Sequence, residues 1–151
     1  MTVELTWAVD CPEGVRESAL LLAAQETFER EGRGACEFEL IFVSDEALAE
    51  LHERFLQDPS NTDVIAFDLG EDGDGPAGEI YVSVDCAQRV AGLRNVSLER
   101  ELALYVVHGS LHLCGYDDHE ESDRREMRAA EVELLRELGY APDAAPHEFG
   151  S

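Results

Sequence analysis

Three histidines that lie within twelve residues are the strongest chemical signal in this chain. They are His108, His112 and His119, in the segment V-H-G-S-L-H-L-C-G-Y-D-D-H. On a helix, residues four apart lie on one face, with their Cβ atoms about 5–6 Å apart. Two imidazoles in that arrangement can bind one metal ion. The spacing therefore predicts a metal site in which His108 and His112 are two of the ligands.

The chain must turn after His112 to bring a third ligand to the open side of the metal. Gly115 supplies that turn, because glycine adopts positive φ without strain. Two histidines on a helix and a third ligand beyond the turn leave one coordination position for water, which is the pattern of a catalytic zinc site. Gly109 stands where the H-E-x-x-H zinc proteases carry their general base. Any general base must come from elsewhere in the chain, and the sequence does not identify it.

The alternative is that the histidine pair is ordinary helix surface or core. The surrounding helix is apolar nearly all round, which places the two imidazoles inside, where they need polar partners. The apolar neighbours are Leu104, Val106, Val107, Leu111 and Leu113. Gly109 lowers helix stability by about 1 kcal/mol relative to alanine, which indicates that another group approaches closely. Both features favour a metal site, with the thiolate of Cys114 as a less favoured ligand.

Acidic residues dominate the charge of the chain. The 151 residues include 34 Asp and Glu but only 11 basic residues, all of them Arg, for a formal net charge of -23. Such a surface argues against a protein that binds nucleic acid through a broad basic face. The acidity and the lack of lysine are typical either of an acidic proteome or of a salt-rich cytoplasm, where salt screens the repulsion.

The remaining composition predicts one cytoplasmic domain without a membrane span. No apolar run approaches the ~20 residues that cross a bilayer, and no signal pattern precedes the first strand-like segment. The four cysteines form no C-x-x-C pair, so we expect them to be reduced and mostly buried. We expect a single domain at residues 1–140 and a disordered tail at 141–151.

Apolar periodicity predicts four strands and about five helices, an α+β or mixed α/β arrangement. The predicted strands are residues 2–9, 37–43, 64–69 and 79–84, the last two pairing as a hairpin. The third is predicted to be fully buried because its residues form a nearly continuous apolar run. The predicted helices follow Pro12, Ser44 and Ser97 and also span 85–93 and 120–138. His52 is predicted to lie at the surface of the second helix.

The histidine segment resembles the signature of the YbeY family. Upstream, T-D-V-I-A-F at 62–67 and G-E-I-Y-V-S at 78–83 are similar to two strands of that family, and the resemblance covers roughly residues 38–138. It implies one mixed four-stranded sheet packed against helices, with one zinc ion on a central helix. It also implies a single-strand-specific endoribonuclease that uses a zinc-activated water and acts in 3′-end maturation of small-subunit ribosomal RNA and in ribosome quality control.

Two departures from the family pattern affect the site. The family reads G-Y-D-H, whereas this chain reads G-Y-D-D-H, which is one residue longer. Counted from the second helix histidine, the position of the family's third histidine is therefore Asp118 here, and the histidine itself is His119. We favour His119 as the third ligand, with Asp118 as the alternative. Many family members carry a basic residue directly after the aromatic residue of the helix that precedes the T-D-V strand. In this chain Phe55 is followed by Leu56, so the catalytic role of that basic residue is not carried over.

The resemblance implies single-stranded RNA and ribosomal RNA as partners. Ribosomal proteins or an assembly GTPase are the partners expected if the protein is an assembly factor. Arg94 and Arg100 lie near the start of the histidine helix and are candidates for contact with phosphates. Two alternatives remain open. One is another zinc-dependent hydrolase, such as a peptidase, and the other is an assembly factor with a structural zinc.

Overall fold

Four strands and five helices lie in the described part of the chain, which in this computed structural model comprises residues 2–34, 36–56, 63–70, 76–117 and 120–140. The strands are β1 Thr2–Trp7, β2 Glu37–Val43, β3 Val64–Asp68 and β4 Gly78–Ser83. The helices are α1 Glu17–Arg30, α2 Asp45–Leu56, α3 Val84–Arg94, α4 Leu98–Leu113 and α5 Glu121–Glu137. The predicted α+β class is confirmed. The predicted tail at 141–151 lies outside the described residues.

The strands form one mixed sheet in the order β1-β2-β4-β3. β1 and β2 are parallel, β2 and β4 are parallel, and β3 is antiparallel to β4. The predicted hairpin between the third and fourth strands is confirmed, and its ladder continues past β3 because the Leu69 amide donates to the Ala77 carbonyl at 2.8 Å. The mixed sheet implied by the family resemblance is therefore present.

The expectation that the third strand is fully buried is wrong. Among the described strands β3 lies at the edge of the sheet and pairs with β4 alone, and most of its residues are half-buried or exposed. Its first four residues are apolar because other elements cover both of its faces in part. Val64 and Ala66 pack against the main core, whereas Ile65 and Phe67 pack against the smaller cluster beneath α2.

The main core lies between the sheet and helices α1, α4 and α5. The predicted inward face of β2 is confirmed, since Phe38, Leu40 and Phe42 are buried there. Helix α4 is the centre of this layer, because it contacts α1, α3, α5, β3 and β4 and buries 13 of its 16 residues. Any polar side chain in the middle of α4 is consequently held inside the protein.

The ends of α2 and α4 are fixed by the residues that the sequence indicates. Ser97 Oγ accepts a hydrogen bond from the Arg100 amide at 3.1 Å, and Ser44 Oγ accepts one from the Ala47 amide at 3.1 Å. Gly115 adopts φ +98° just past α4. The predicted N-caps and the predicted C-terminal turn are therefore confirmed.

Two burial predictions are wrong. The four cysteines are free, as expected, but Cys11 is exposed and the other three are half-buried. His52, expected at the surface, is only 6% exposed. It lies four residues after the buried Leu48 on α2, so it shares the inward face of that helix.

None of the helices in the described part of the chain is long and apolar enough to cross a membrane.

Substitution of Gly109 by alanine tests the close packing of α4 on the sheet. A Cβ atom there would lie 2.6 Å from Ile80 Cγ2 and 3.2 Å from Val64 Cγ2. Such overpacking costs about 1–3 kcal/mol, and the better helix propensity of alanine offsets about 1 kcal/mol. We expect Gly109→Ala to lower the free energy of unfolding, measured with urea. Gly92→Ala on α3 is the matched control, since an added Cβ there has no described atom within 4 Å apart from its chain neighbours and the backbone of its own helix. Equal effects of the two substitutions would contradict this packing argument.

A polar clasp joins three distant parts of the chain at the start of α4. The Arg16 amide and Nε donate to Glu99 Oε1 at 2.9 and 3.0 Å, Arg16 Nη2 donates to Oε2 at 2.9 Å, and Tyr140 Oη donates to Oε2 at 2.9 Å. These bonds, above all those from Arg16, lower the pKa of Glu99 from its ordinary value of 4.5 to about 2. The ionised Glu99 therefore stabilises the folded protein.

The clasp predicts a specific dependence of stability on pH. A carboxyl group with a lowered folded-state pKa contributes stability that is present above pH 4.5 and is lost as the pH falls toward about 2. We expect Glu99→Gln to flatten the loss of unfolding free energy between about pH 5 and pH 2. Glu137→Gln on α5 serves as a control with the same change of charge. If both variants follow the pH profile of the unmodified protein, Glu99 does not contribute as described.

Candidate metal centre

The C-terminal half of α4 brings His108 and His112 into contact. Their Nε2 atoms are 3.1 Å apart, and the two ring planes are nearly perpendicular at 86°. The His108 residue is 4% exposed and His112 is half-buried. The two imidazoles thus direct the same ring nitrogen toward one point at the edge of the core.

The opposite nitrogen of each ring is held by a different kind of partner. His112 Nδ1 lies 3.1 Å from the carbonyl oxygen of Tyr116, and since a carbonyl only accepts, Nδ1–H is the donor. His108 Nδ1 lies 2.8 Å from Oε2 of Glu131, which reaches it from α5. Each ring is therefore anchored on its Nδ1 side.

The turn after α4 places the carbonyl that holds His112. The Gly115 amide donates to the His112 carbonyl at 3.1 Å, and the Tyr116 amide donates to the Leu111 carbonyl at 3.0 Å. The positive φ of Gly115 permits both bonds and folds Tyr116 back over the last helical turn. The helix-ending glycine predicted from the sequence thus also orients a histidine ring.

The pair fits a zinc ion in its donor chemistry and its spacing. Two Zn–N bonds of 2.0–2.1 Å at a tetrahedral angle would place the nitrogens about 3.3 Å apart, close to the observed 3.1 Å. His112 lies in the last turn of α4, and the partial negative charge at a helix C-terminus favours a cation. These two residues therefore suit a shared metal ion.

The third ligand predicted from the sequence is not placed. Asp118 and His119 both lie outside the described residues. Within the described ranges, no group of three or more histidine, cysteine or acidic side chains is arranged to hold a metal ion. The assignment of His119, with Asp118 as its alternative, therefore stays a prediction.

A cavity of about 230 Å³ opens beside the C-terminal end of α4. Its lining residues are Cys114, Gly115, Tyr116, Asp117, Asp123 and Glu126. Burial raises the pKa of the Cys114 thiol to about 11, so the thiol stays protonated at neutral pH. With three carboxylates in its wall, the cavity adds to the negative potential around the helix end.

The arginines proposed as phosphate contacts lie away from the histidine pair along the chain. Arg100 is eight residues before His108, which is about 12 Å along the axis of α4. It is 5% exposed, and its Nη1 lies 4.0 Å from Oε2 of the fully buried Glu101. Arg94 is half-buried in the last turn of α3. A substrate role for either residue stays a prediction.

Two residues at the site were missed by sequence analysis. Glu131 occupies the apolar register of α5, four residues after Met127 and three before Leu134, and a charge at such a position is a usable signal. Arg33 donates from Nη1 to the Leu113 carbonyl at the end of α4, and its guanidinium carbon lies 5.3 Å from the ring centroid of Phe38. No sequence signal identifies Arg33, because its contact depends on how two distant segments pack.

Comparison with known proteins identifies a family that this chain matches. A family model described as Endoribonuclease YbeY matches residues 12–139. A protein named Endoribonuclease YbeY from Chlorobium luteolum is 37% identical over 123 residues, which cover 81% of this chain and 89% of that protein. A protein of the same name from Salinibacter ruber is 33% identical over 128 residues, which cover 80% of this chain and 82% of that protein.

A solved structure supports the same relationship. The solution structure of the Thermotoga maritima protein TM1509 is similar to this chain with a TM-score of 0.59 and 30% sequence identity, covering 90% of this chain and 88% of that one. The family match spans α1 through α5 and includes the histidine pair. The chain belongs to the Endoribonuclease YbeY family.

Proposed function

We propose that this protein is a zinc-dependent endoribonuclease that cleaves single-stranded RNA. Its cellular role in this proposal is 3′-end maturation of small-subunit ribosomal RNA and ribosome quality control in the cytoplasm. Family membership supports the endoribonuclease activity. The observation that carries the metal dependence is the approach of two anchored imidazoles to 3.1 Å through their Nε2 atoms.

In this proposal His108 and His112 hold one zinc ion through Nε2, and His119 or Asp118 completes the set. When bound, zinc supplies Lewis acidity and lowers the pKa of a water molecule that serves as the nucleophile. The Tyr116 carbonyl keeps His112 in the tautomer that a metal requires. The burial of His108 lowers the local dielectric, which strengthens the interaction of the site with the developing charge on the phosphodiester.

A second candidate is an assembly factor that binds ribosomal proteins or a GTPase and in which zinc is structural. The formal net charge of -23 favours it, because such a surface repels RNA but suits a basic protein. Ion pairs reinforce this point, because several arginines of the described residues lie beside a carboxylate: Arg16, Arg30, Arg89, Arg100 and Arg125. A zinc site closed to water and a lack of RNA cleavage would favour this candidate.

We expect cleavage of single-stranded RNA to require the bound metal and both histidines of the pair. A chelator should abolish cleavage and added zinc should restore it. His108→Ala and His112→Ala should each lose zinc, measured by elemental analysis, while circular dichroism shows a retained fold. His52→Gln on α2 is the matched control and should keep both zinc and activity. Cleavage that resists the chelator, or stoichiometric zinc in either alanine variant, would refute the proposal.

The third ligand can be identified by comparing Asp118→Ala with His119→Ala. Loss of a group that only orients a ligand typically weakens metal binding about 10–100-fold, and loss of a direct ligand should weaken it more. We expect His119→Ala to have the larger effect on the zinc dissociation constant. The opposite order, with an empty site in Asp118→Ala and near-normal affinity in His119→Ala, would assign Asp118 as the ligand.

A further inference from the structure

We propose that Glu131 is the positioning residue of the candidate metal centre, fixing His108 in the tautomer that presents Nε2 to the metal. The inference rests on the metal site in the proposed function. The observation that supports the positioning role is the 2.8 Å contact between Glu131 Oε2 and His108 Nδ1. Both side chains are only 6% exposed, so the contact lies inside the protein.

Burial singles out Glu131 on its helix. Helix α5 carries six acidic residues, and Glu131 is the one that is buried. Burying a carboxylate is unfavourable unless the group is paired and hydrogen-bonded. The position of Glu131 between the buried Met127 and Leu134 fixes it by packing. Its carboxylate therefore sits at a defined place against the His108 ring.

The chemistry of the contact determines where the His108 proton lies. When the Glu131 carboxylate is ionised it can only accept a hydrogen bond, and Nδ1 of His108 is then the donor. A neutral imidazole that carries its proton on Nδ1 has its lone pair on Nε2, which is the nitrogen that faces His112. A carboxylate behind a metal-binding histidine also increases the basicity of that ligand.

The two histidines depend on different levels of structure. His112 is oriented by the backbone carbonyl of Tyr116, four residues along the same chain segment. His108 is oriented by a side chain 23 residues away, on a different helix. Packing of α5 against α4 therefore prepares one half of the site, whereas the turn after α4 prepares the other half.

The test compares Glu131→Leu and Glu131→Gln with Glu133→Leu as the matched control. Leucine removes the acceptor at similar size, and glutamine can either accept or donate, so it no longer dictates the proton position. Glu133 is exposed on the same helix, and its substitution makes the same change of charge. One measurement is the zinc dissociation constant, by competition with a chromophoric chelator. The other is the His108 tautomer in the metal-free full-length protein, by long-range proton–nitrogen NMR.

We expect the unmodified protein and Glu133→Leu to carry the His108 proton on Nδ1. Glu131→Leu should lose that preference and bind zinc about 10–100-fold more weakly, with Glu131→Gln in between. An unchanged tautomer in Glu131→Leu, or zinc affinity equal to that of Glu133→Leu, would overturn the inference. If Glu131→Leu does not fold, the same two readouts on Glu131→Gln decide. A failure of the unmodified protein to bind zinc would refute the proposed function, and the tautomer would still report on Glu131.

Discussion

The burial of α4 is the constraint on which the rest of this structure depends. With 13 of 16 residues buried, the helix has little access to water along most of its length. Every polar side chain placed there must therefore find its partner within the protein. His108 finds Glu131 on α5, and Ser110 Oγ donates to the Val106 carbonyl at 2.7 Å. The fold thus imposes an ordered polar environment on the histidines before any ligand binds.

The close approach of α4 to the sheet follows from the same constraint. Gly109 lets the helix lie against Ile80 and Val64, and Gly78 lets β4 pass close to Leu113, whose Cδ1 would be 2.8 Å from an added Cβ. Small residues at both contacts bring the end of the helix down onto the edge of the sheet. The histidine pair is positioned by this packing as much as by its own spacing in the chain.

Sequence patterns predicted the parts of the fold that depend on local rules. The i, i+4 histidines, the Ser97 cap, the Gly115 turn and the alternation in β2 are each set by residues close together in the chain. The errors came from tertiary packing. The apolar run of β3 suggested complete burial, but helices on both sides of an edge strand select the same composition. His52 was misplaced because a histidine can lie at the surface or in the core, and the packing of α2 decides between the two.

The residues of the candidate site also fall into two groups, those set by local rules and those set by tertiary packing. His108 and His112 were predictable because their geometry follows from helix periodicity alone. Glu131 and Arg33 were not predicted, because their contacts join residues 23 and 80 positions apart in the chain. The partners that orient a site are set by how helices dock, and a single sequence carries only weak signals for docking. A charged residue in a buried register, as at Glu131, is one of them.

The clasp at the start of α4 has a consequence for the order of folding. Its members are 83 and 41 residues apart in the chain, so closing it requires long loops whose entropy is offset only after the sheet and α4 are in place. During synthesis Arg16 and Glu99 leave the ribosome well before Tyr140. We therefore expect the Arg16–Glu99 contact to form first, and the Tyr140 hydroxyl to add to it only when the segment after α5 arrives. The full set of clasp bonds therefore forms late, when the rest of the domain has folded, and does not nucleate folding.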